Sequence, residues 1–416
     1  MIVKERRQAA SSRVPLLVLF LVNALNIFDR QALGALLEPL RHAFGLSDTQ
    51  LGALPTVFTI VYALAGLPLA RQADRRSRRN LLAAGVGVWT SLTALGGLAV
   101  NYWMLLATRL GVGIGEAVCA PAATSWIGDI VPPERRARAM AGFMMAVPIG
   151  VMLSFAITGP AAQAWGWRPA LAMGALPAVV LVPALVRLIE PARGAEAVAR
   201  PLPSPSVLAR IPAFRWIVVS GAVVNFVLYS FSTFIAPFLT RVHGLSVARA
   251  GIWAGVGSGA SGILGALAAG LLGDRTLGRG RLWMAAAASL AAALPAYAAI
   301  AVPAGHAAPA TVLAMTAYGL LQMYYGLVYS AIQDFVEPRL RATAMAVYFL
   351  AMYLCGASFG PLLTGRLSDH FARVAAGIGP LTEAARAYGL HQAMYLIPLL
   401  CVLLAGVLAM AARAAR

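Results

Sequence analysis

Charged residues interrupt two stretches of sequence that are otherwise apolar and long enough to cross a bilayer. Asp29 and Arg30 lie in the first stretch, and Arg109 and Glu116 lie in the second. A charge at membrane depth costs ~2.5–3.5 kcal/mol on insertion scales, so it normally pairs with another group or faces a wet cavity. Carboxylates in such a place can carry protons, and guanidinium groups can neutralise them or bind anions. The four residues therefore predict a transport pathway.

Arg109 and Glu116 are separated by two helical turns, so their side chains share one face of a helix. Counted at about 1.5 Å per residue, Asp29 and Arg109 lie at a similar depth, and Glu116 lies deeper, near the membrane centre. We predict that Arg109 neutralises the ionised Asp29 and that Glu116 is a second acid. A carboxylate that gains and loses a neighbouring cation can take up a proton on one side and release it on the other. The alternative is a static buried salt bridge that only fixes helix packing.

Arg30 directly follows Asp29, so its side chain points about 100° away around the helix and is expected to have a different partner. Either it binds an anionic headgroup or a carboxylate, or it extends to the outer membrane interface. The sequence leaves both alternatives open.

The second half of the chain offers polar and aromatic side chains in place of charges. The predicted substrate-binding residues combine both sets: Arg30, Arg109, Glu116, Asn225, Tyr229, Gln322 and Tyr325. A charged wall that faces an aromatic and polar wall suits an amphiphile with a charged head and an apolar body. The alternative for each tyrosine is a role in helix packing.

The elements that hold these residues are predicted to be membrane-spanning helices. Of the 416 residues, 60% are hydrophobic and 12% are charged, a balance that does not fit a soluble protein. Runs of about 20 apolar residues, the length that crosses ~30 Å of hydrocarbon, recur along the chain and lack the alternation of a barrel. The predicted spans are 14–37, 49–70, 80–99, 103–126, 138–161, 168–189, 213–239, 248–272, 282–302, 309–332, 342–365 and 389–412. The predicted fold class is an all-α membrane protein with twelve transmembrane helices.

The net charge of +18 reflects the topology of the chain. Most of the 33 Lys and Arg residues fall on the side of the membrane that holds the N-terminus. The positive-inside rule then predicts that both termini are cytoplasmic. We expect the protein to lie in the inner (plasma) membrane. The basic residues are expected to contact anionic membrane lipids. They do not predict nucleic-acid binding, because no aromatic-basic module accompanies them.

The chain divides into two related halves. A polar, Pro-rich stretch near the middle predicts an N-terminal bundle of residues 1–190, a cytoplasmic linker of residues 191–212 and a C-terminal bundle of residues 213–416. The sequence around Asp129 repeats around Asp334. Such a repeat predicts two pseudo-symmetric six-helix bundles with a binding site between them.

The loop after the second span, residues 70–79, resembles the signature loop of the major facilitator superfamily, Gly-x-x-x-Asp-Arg-x-Gly-Arg-Arg. It reads Ala-Arg-Gln-Ala-Asp-Arg-Arg-Ser-Arg-Arg and departs from the pattern at Ala70 and Ser77, where the pattern has Gly. The resemblance extends over essentially the whole chain and implies the major facilitator fold.

Within that superfamily, three runs are similar to the spinster-like transporters. They are Asp29-Arg30, residues 109–117 with Pro121 and then Asp129, and Gly356 to Pro361 leading to Asp369. This resemblance implies proton coupling through Asp29 and Glu116, and a lipid-like cargo of the lysolipid or sphingolipid type. Organic-anion porters share the Gly-Glu-Ala turn at residues 115–117.

The superfamily resemblance also implies a conformational latch at the cytoplasmic ends of the helices. The latch is closed when the site opens outward and broken when it opens inward. The predicted latch residues are Asp74, Arg75, Arg78, Asp129, Asp274 and Arg275. The alternative is a set of solvated ion pairs that fix topology and contribute ~0–1 kcal/mol.

Together these features favour a monomeric, proton-coupled secondary transporter that moves a small amphiphilic or lipid-like molecule by alternating access. One alternative is an organic-anion or carboxylate proton symporter that clamps its substrate with Arg30 and Arg109. Another is a membrane-embedded lipid enzyme, but the sequence offers no nucleophile–base pair to support it. The five His residues show no metal-ligand spacing and no phosphate-binding loop is present, so no metal, cofactor or ATP is expected.

Overall fold

Helices make up nearly all of the structure. A computed structural model describes residues 2–190, 205–337 and 340–415. Within these ranges it does not describe the side chains of residues 2–12, 67, 74, 75, 133, 134, 137, 205, 206, 209 and 342. Within these ranges every regular element is a helix. We call the membrane face at which the first helix begins the near face, and the other one the far face.

The first half of the chain runs through nine α-helices. They are α1 (Ile2–Phe44), α2 (Asp48–Arg75), α3 (Arg78–Gly96), α4 (Tyr102–Glu116), α5 (Cys119–Ile130), α6 (Pro133–Met144), α7 (Ala146–Trp165), α8 (Trp167–Ala172) and α9 (Ala178–Arg187). Side-chain caps fix where several of them start. Ser47 accepts a hydrogen bond from the backbone N–H of Gln50 before α2, and Asn101 accepts one from Met104 before α4.

The second half continues with helices of similar length. They are α10 (Pro212–Arg241), α11 (Val247–Gly273), α12 (Arg279–Ala301), α13 (Ala307–Phe335), α14 (Arg341–Ala351), α15 (Phe359–Ala376), α16 (Glu383–Met394) and α17 (Leu396–Ala414). Between α14 and α15 the chain makes a π-helical turn, Met352–Ala357. In this turn the backbone N–H of Ser358 donates to the carbonyl of Tyr353, five residues earlier.

The prediction of an all-helical membrane protein is confirmed. Within the described ranges, ten helical stretches are long and apolar enough to cross a membrane. The two remaining predicted spans, 80–99 and 309–332, coincide with α3 and α13. Two helices extend well beyond their predicted spans: α1, predicted as 14–37, covers Ile2–Phe44, and α15, predicted to end at residue 365, continues to Ala376. In α15 the polar residues Ser368 and Asp369 bond to α2 of the other half, so they extend the helix instead of ending it.

Each half packs around its own buried apolar side chains. Helices α10–α17 enclose a cluster that includes Phe234, and α1–α9 enclose one that includes Trp89. The predicted linker 191–212 falls largely outside the described residues, which resume with a short 3₁₀ helix, Pro205–Arg210. The predicted domain limits therefore stay a prediction.

The two halves meet along α2 and α15 and along α7 and α11. Glycines allow the first pair to approach closely, as is common where membrane helices cross. A Cβ on Gly52 would lie 2.3 Å from the carbonyl oxygen of Pro361, and one on Gly365 would lie 2.1 Å from that of Asp48. Between described residues of the two halves, the hydrogen bonds lie from the membrane centre to the far face. The far face is therefore sealed.

Candidate functional site

A cavity lies between the halves near the membrane centre. Helices α1, α2 and α4 of the first half and α10 of the second half line it. Its wall includes the charged and polar residues Arg30, Gln31, Thr59, Arg109, Tyr229 and Ser232, and the apolar residues Leu33, Leu37, Phe58 and Val112. Three of the predicted substrate-binding residues, Arg30, Arg109 and Tyr229, therefore line this cavity directly.

Arg30 forms an ion pair with Glu116 that joins α1 to α4. Its Nε and Nη2 atoms donate to Oε2 of Glu116 at 3.3 and 3.2 Å, and Nη2 also donates to Oδ1 of Asn26 at 3.3 Å. The guanidinium carbon lies 4.4 Å from the ring centre of Tyr62 and 5.2 Å from that of Phe58. These cation–π contacts offset part of the cost of burying the charge.

The environment of Arg30 decides between the two alternatives left by the sequence. Its side chain is only 9% exposed, so it does not extend to the outer interface, and its partner is a carboxylate. Tyr62, beneath the guanidinium, also contacts Tyr353 of the other half, with ring centres 5.6 Å apart. Arg30 thus lies next to a contact between the two halves.

Asp29 and Arg109 are connected by a hydroxyl group that the sequence analysis missed. Thr93 Oγ1 donates to Oδ2 of Asp29 at 2.5 Å and accepts from Nη2 of Arg109 at 3.3 Å. These two described residues form no direct ion pair, because Thr93 lies between them, and the neutralisation of Asp29 by Arg109 stays a prediction. Thr93 carries no charge, and the only signal for it in the sequence is a polar residue near the far end of the third span.

Both acids keep one buried carboxylate oxygen that has no hydrogen-bond partner among the described residues. These atoms are Oδ1 of Asp29 and Oε1 of Glu116. Two nearby nitrogen atoms, Nε of Arg109 and Nδ2 of Asn26, are also buried without a hydrogen-bond partner among the described residues. Buried polar atoms are paired in the great majority of cases, so unpaired ones point to strain, to bound water or to a functional role. A proton can bind at either oxygen without displacing an existing hydrogen bond.

The remaining predicted substrate residues lie behind the cavity wall. Oδ1 of Asn225 accepts a hydrogen bond from the hydroxyl of Tyr325 at 3.2 Å, and Nε2 of Gln322 donates to the hydroxyl of Tyr318 at 2.8 Å. These contacts stabilise the second half and leave Tyr229 as its aromatic residue on the wall. In the described part of the chain, no group of three or more His, Cys, Asp or Glu side chains is placed to hold a metal ion.

Arg78 is the centre of a polar cluster at the near face. Its buried guanidinium contacts the carboxylate of Asp129, and its Nε donates to Oε1 of Glu190 at 3.2 Å. Two predicted latch residues, Arg78 and Asp129, are therefore in contact. The side chains of Asp74 and Arg75, which complete this part of the predicted latch, lie outside the described residues.

The second half repeats the cluster with different residues. Nη1 of Arg281 donates to Oδ2 of Asp334 at 2.8 Å, and Asp334 is the repeat counterpart of Asp129. Asp274 and Arg275 are exposed, and neither forms an ion pair with another residue of the described ranges. The predicted latch role of Asp274 and Arg275 stays a prediction.

The internal repeat also appears in two equivalent contacts between a side chain and the backbone. Nε of Arg136 donates to the carbonyl of Val131 at 3.0 Å, and Nε of Arg341 donates to that of Val336 at 3.2 Å. Each arginine closes the turn between two helices in its half. The sequence repeat therefore corresponds to a structural repeat at the near face.

Glu190 is a further member of the near-face cluster that the sequence analysis missed. Its carboxylate accepts hydrogen bonds from Oγ of Ser77 at 2.5 Å and from the backbone N–H groups of Arg78 and Arg79 at 2.8 and 3.4 Å. It therefore caps the first turn of α3. Burial raises the pKa of Glu190, but these hydrogen bonds and that from the Arg78 guanidinium outweigh burial and hold the pKa below its usual value.

The low pKa of Glu190 makes the stability of the first half depend on pH. A carboxyl group of this kind stabilises the fold above its unfolded pKa, and the contribution is lost as the pH falls through its folded pKa. We expect the melting temperature in detergent to fall below about pH 4.3, the usual pKa of Glu. Glu190→Gln should lower the melting temperature at neutral pH and make it depend less on pH in the acidic range. Glu337→Gln, which removes an exposed near-face carboxylate, is the control. Identical pH profiles for Glu190→Gln and wild type would contradict this account.

Comparison with known proteins identifies the family. The model of the Major Facilitator Superfamily matches residues 19–361. The chain is 35% identical over 361 residues to an MFS-type efflux pump of Mycolicibacterium smegmatis, which covers 85% of this chain and 83% of the relative. It is 29% identical over 399 residues to spinster homolog 1 of Bos taurus, which covers 86% of this chain and 73% of the relative.

A solved structure supports the same assignment. The chain is similar to a bacterial homologue of the human lysosomal transporter Spinster in its inward-facing and unoccupied conformation, with a TM-score of 0.86, 29% identity and 97% of each chain covered. The sealed far face agrees with that conformation. These relatives are transporters and not enzymes. The chain therefore belongs to the Major Facilitator Superfamily, on its spinster-like branch, and is a multi-pass membrane transporter.

Proposed function

We propose that protons drive this transporter and that its cargo is an amphiphilic, lipid-like molecule of the lysolipid or sphingolipid type, moved by alternating access. The observation that carries the proposal is the position of Arg30, which lies on the cavity wall and holds Glu116 behind it. One guanidinium is therefore shared between an acid of the protein and any anionic group in the cavity.

The sharing of Arg30 links the cargo to the proton. An anionic group that binds Arg30 weakens its ion pair with Glu116, and a buried carboxylate that loses its cation favours the protonated form. Asp29 has the same relation to Arg109, which also lines the cavity and contacts Asp29 through Thr93. Cargo binding and proton binding then change each other's free energy by equal amounts. Such linkage is what coupled transport requires.

The composition of the cavity wall supports an amphiphilic cargo. The guanidinium groups of Arg30 and Arg109 suit an anionic headgroup, and Leu33, Leu37 and Phe58 suit an apolar chain. The same two arginines favour the second candidate, an organic-anion or carboxylate proton symporter. A compact anion of that kind gains little from the apolar part of the wall.

We also propose that the protein lies in the inner (plasma) membrane as a monomer, with the near face and both termini in the cytoplasm. The near face carries exposed arginines around the end of α2 and in the first turns of α6: Arg71, Arg76, Arg135, Arg136 and Arg138. Their concentration there is the pattern of the positive-inside rule. In this orientation the predicted latch residues lie at the cytoplasmic face, and we propose that together they form a latch between the two halves: Asp74, Arg75, Arg78, Asp129, Asp274 and Arg275. It closes when the far face opens.

Thermal-shift measurements in detergent test the cargo class. A ligand that binds only the folded state raises the melting temperature, and the rise grows with its concentration relative to Kd. We expect a lysophospholipid to stabilise the wild type more at acidic than at neutral pH, and small carboxylates to have little effect.

Variants of the two acid–arginine sites control for nonspecific detergent effects. Arg30→Gln should lose the shift, and Asp29→Asn should lose its dependence on pH. Stabilisation by small carboxylates without stabilisation by lysophospholipids would overturn the lipid assignment in favour of the anion symporter.

A further inference from the structure

The seal at the far face is built from charged side chains, although it lies between two largely apolar bundles. Six residues, three from each half, form what we call the far-face clasp: Glu38, Arg41 and Asp48 from the first half, and Arg241, Asp369 and Glu383 from the second. Their contacts are described from the centre of the clasp outward.

Arg241 is the central residue of the clasp. Its Nη1 and Nη2 atoms donate to the two oxygens of Asp48 at 2.8 Å, and its Nε donates to Oε1 of Glu38 at 2.6 Å. The side chains of Arg241, Asp48 and Glu38 are 4%, 3% and 7% exposed. Bidentate pairs of guanidinium and carboxylate are among the strongest hydrogen-bonded contacts in proteins. Through these bonds α10 of the second half is tied to α1 and α2 of the first.

Arg41 makes the reciprocal contact from the first half to the second. Its Nη1 and Nη2 atoms donate to the two oxygens of Glu383 at 3.0 and 2.7 Å, and its Nε donates to Oε2 of Glu38 at 3.2 Å. Glu38 therefore lies between the two arginines. Glu383 is 66% exposed, so this outer pair is screened by solvent and contributes less than the inner one.

Asp369 adds a contact between a side chain and a helix end. It accepts hydrogen bonds from the backbone N–H groups of Asp48 and Thr49 at 2.9 and 2.8 Å, and from the Thr49 hydroxyl at 2.6 Å. These N–H groups have no partner within α2, because they belong to its first turn. A carboxylate at that end is also favoured by the helix dipole. A helix of the first half is thus capped by a residue of the second half.

The chemistry of these contacts makes the seal reversible. Charged groups and N–H groups regain water when the halves separate, so a buried ion pair contributes little net free energy, although removal of one partner is strongly destabilising. An apolar seal of equal area would hold the halves together more firmly.

We propose that the far-face clasp sets the balance between the sealed state and a state open at the far face, with Arg241 as its central residue. Loss of Arg241 leaves Glu38 and Asp48 buried without their cation in the sealed state, whereas both are hydrated in the open state. The proposal does not depend on the cargo or on protons.

Cysteine labelling measures this balance directly. Ser232 lies on the cavity wall beneath the clasp. A single cysteine at this position, in a background with Cys119, Cys355 and Cys401 replaced by Ala, reports access from the far face. The reagent is a membrane-impermeant maleimide added at the far face of oriented proteoliposomes, without cargo or pH gradient. Failure of the transport proposal therefore does not affect the readout.

We expect Arg241→Gln to accelerate labelling by roughly tenfold or more, because one partner of a buried ion pair is removed. Asp369→Asn, which keeps the shape of the cap and removes its charge, should accelerate labelling less. Arg249→Gln, which removes an exposed far-face arginine, is the matched control and should label at the wild-type rate. Labelling at or below the wild-type rate in both Arg241→Gln and Asp369→Asn would overturn the proposal.

Discussion

Glu116→Gln and Asp29→Asn are each expected to abolish transport that is driven by a pH gradient, while exchange of cargo in the absence of a gradient continues. Gln at position 116 can still accept a hydrogen bond from Arg30, and Asn at position 29 can still accept one from Thr93, but neither can carry a proton. The bonds that hold the helices are therefore largely kept and the coupling is lost.

Two assays in proteoliposomes separate these effects. The first measures cargo uptake under an imposed pH gradient together with proton movement reported by a pH-sensitive dye, and the second measures counterflow of labelled cargo at equal pH. Glu337→Gln, an exposed near-face carboxylate outside the cavity, is the control and should behave as wild type in both. Full gradient-driven transport by both Glu116→Gln and Asp29→Asn would show that the buried charges only fix helix packing.

The second large effect is expected from a single methyl group. In Gly365→Ala the new Cβ would lie 2.1 Å from the carbonyl oxygen of Asp48, which belongs to the other half. Overpacking of this kind costs ~1–3 kcal/mol, which corresponds to a change of roughly fivefold to 150-fold in an equilibrium constant. The clash arises only when the halves meet, so each half should fold normally and the far face should fail to close. Transport should fall by a similar factor, because the cycle requires the sealed state.

Double electron–electron resonance between two spin labels measures the separation of the halves. The labels are placed at Val100 and Ile378, two strongly exposed far-face positions in opposite halves. The distance distribution of Gly365→Ala should move to longer values. Gly270→Ala is the matched control, since a Cβ there meets nothing within 4 Å. A wild-type distance distribution and wild-type transport in Gly365→Ala would refute the expectation.

The sequence was sufficient for the fold and for the identity of the charged residues around the cavity, but not for how those charges pair. Helical periodicity places Asp29 and Arg30 about 100° apart, yet it does not say which neighbouring helix each direction meets. Helix α1 is surrounded on several sides, so Asp29 meets Thr93 on α3 while Arg30 meets Glu116 on α4. That arrangement depends on the rotation and position of three helices, which are properties of the whole bundle.

The clasp residues illustrate a second limit of sequence reasoning. Arg41 and Arg241 appear in the sequence as far-side charges next to apolar spans, where solvated residues are common. Asp369 belongs to a run that resembles the spinster-like transporters, but nothing in that run indicates that it caps a helix more than 300 residues earlier. Contacts between the halves involve residues far apart in the chain, and a single sequence carries no record of them.

The π-helical turn Met352–Ala357 has a consequence for the orientation of everything beyond it. A bond to the carbonyl five residues earlier accommodates one residue more than an α-helical turn does. This extra residue advances the helix by about 100° around its axis. The direction in which Asp369 points from α15 is therefore set by the π-helical turn, which ends more than three helical turns before it. Deletion of one residue in this turn, such as Leu354, would point the Asp369 carboxylate away from α2, although no residue that makes the contact is replaced.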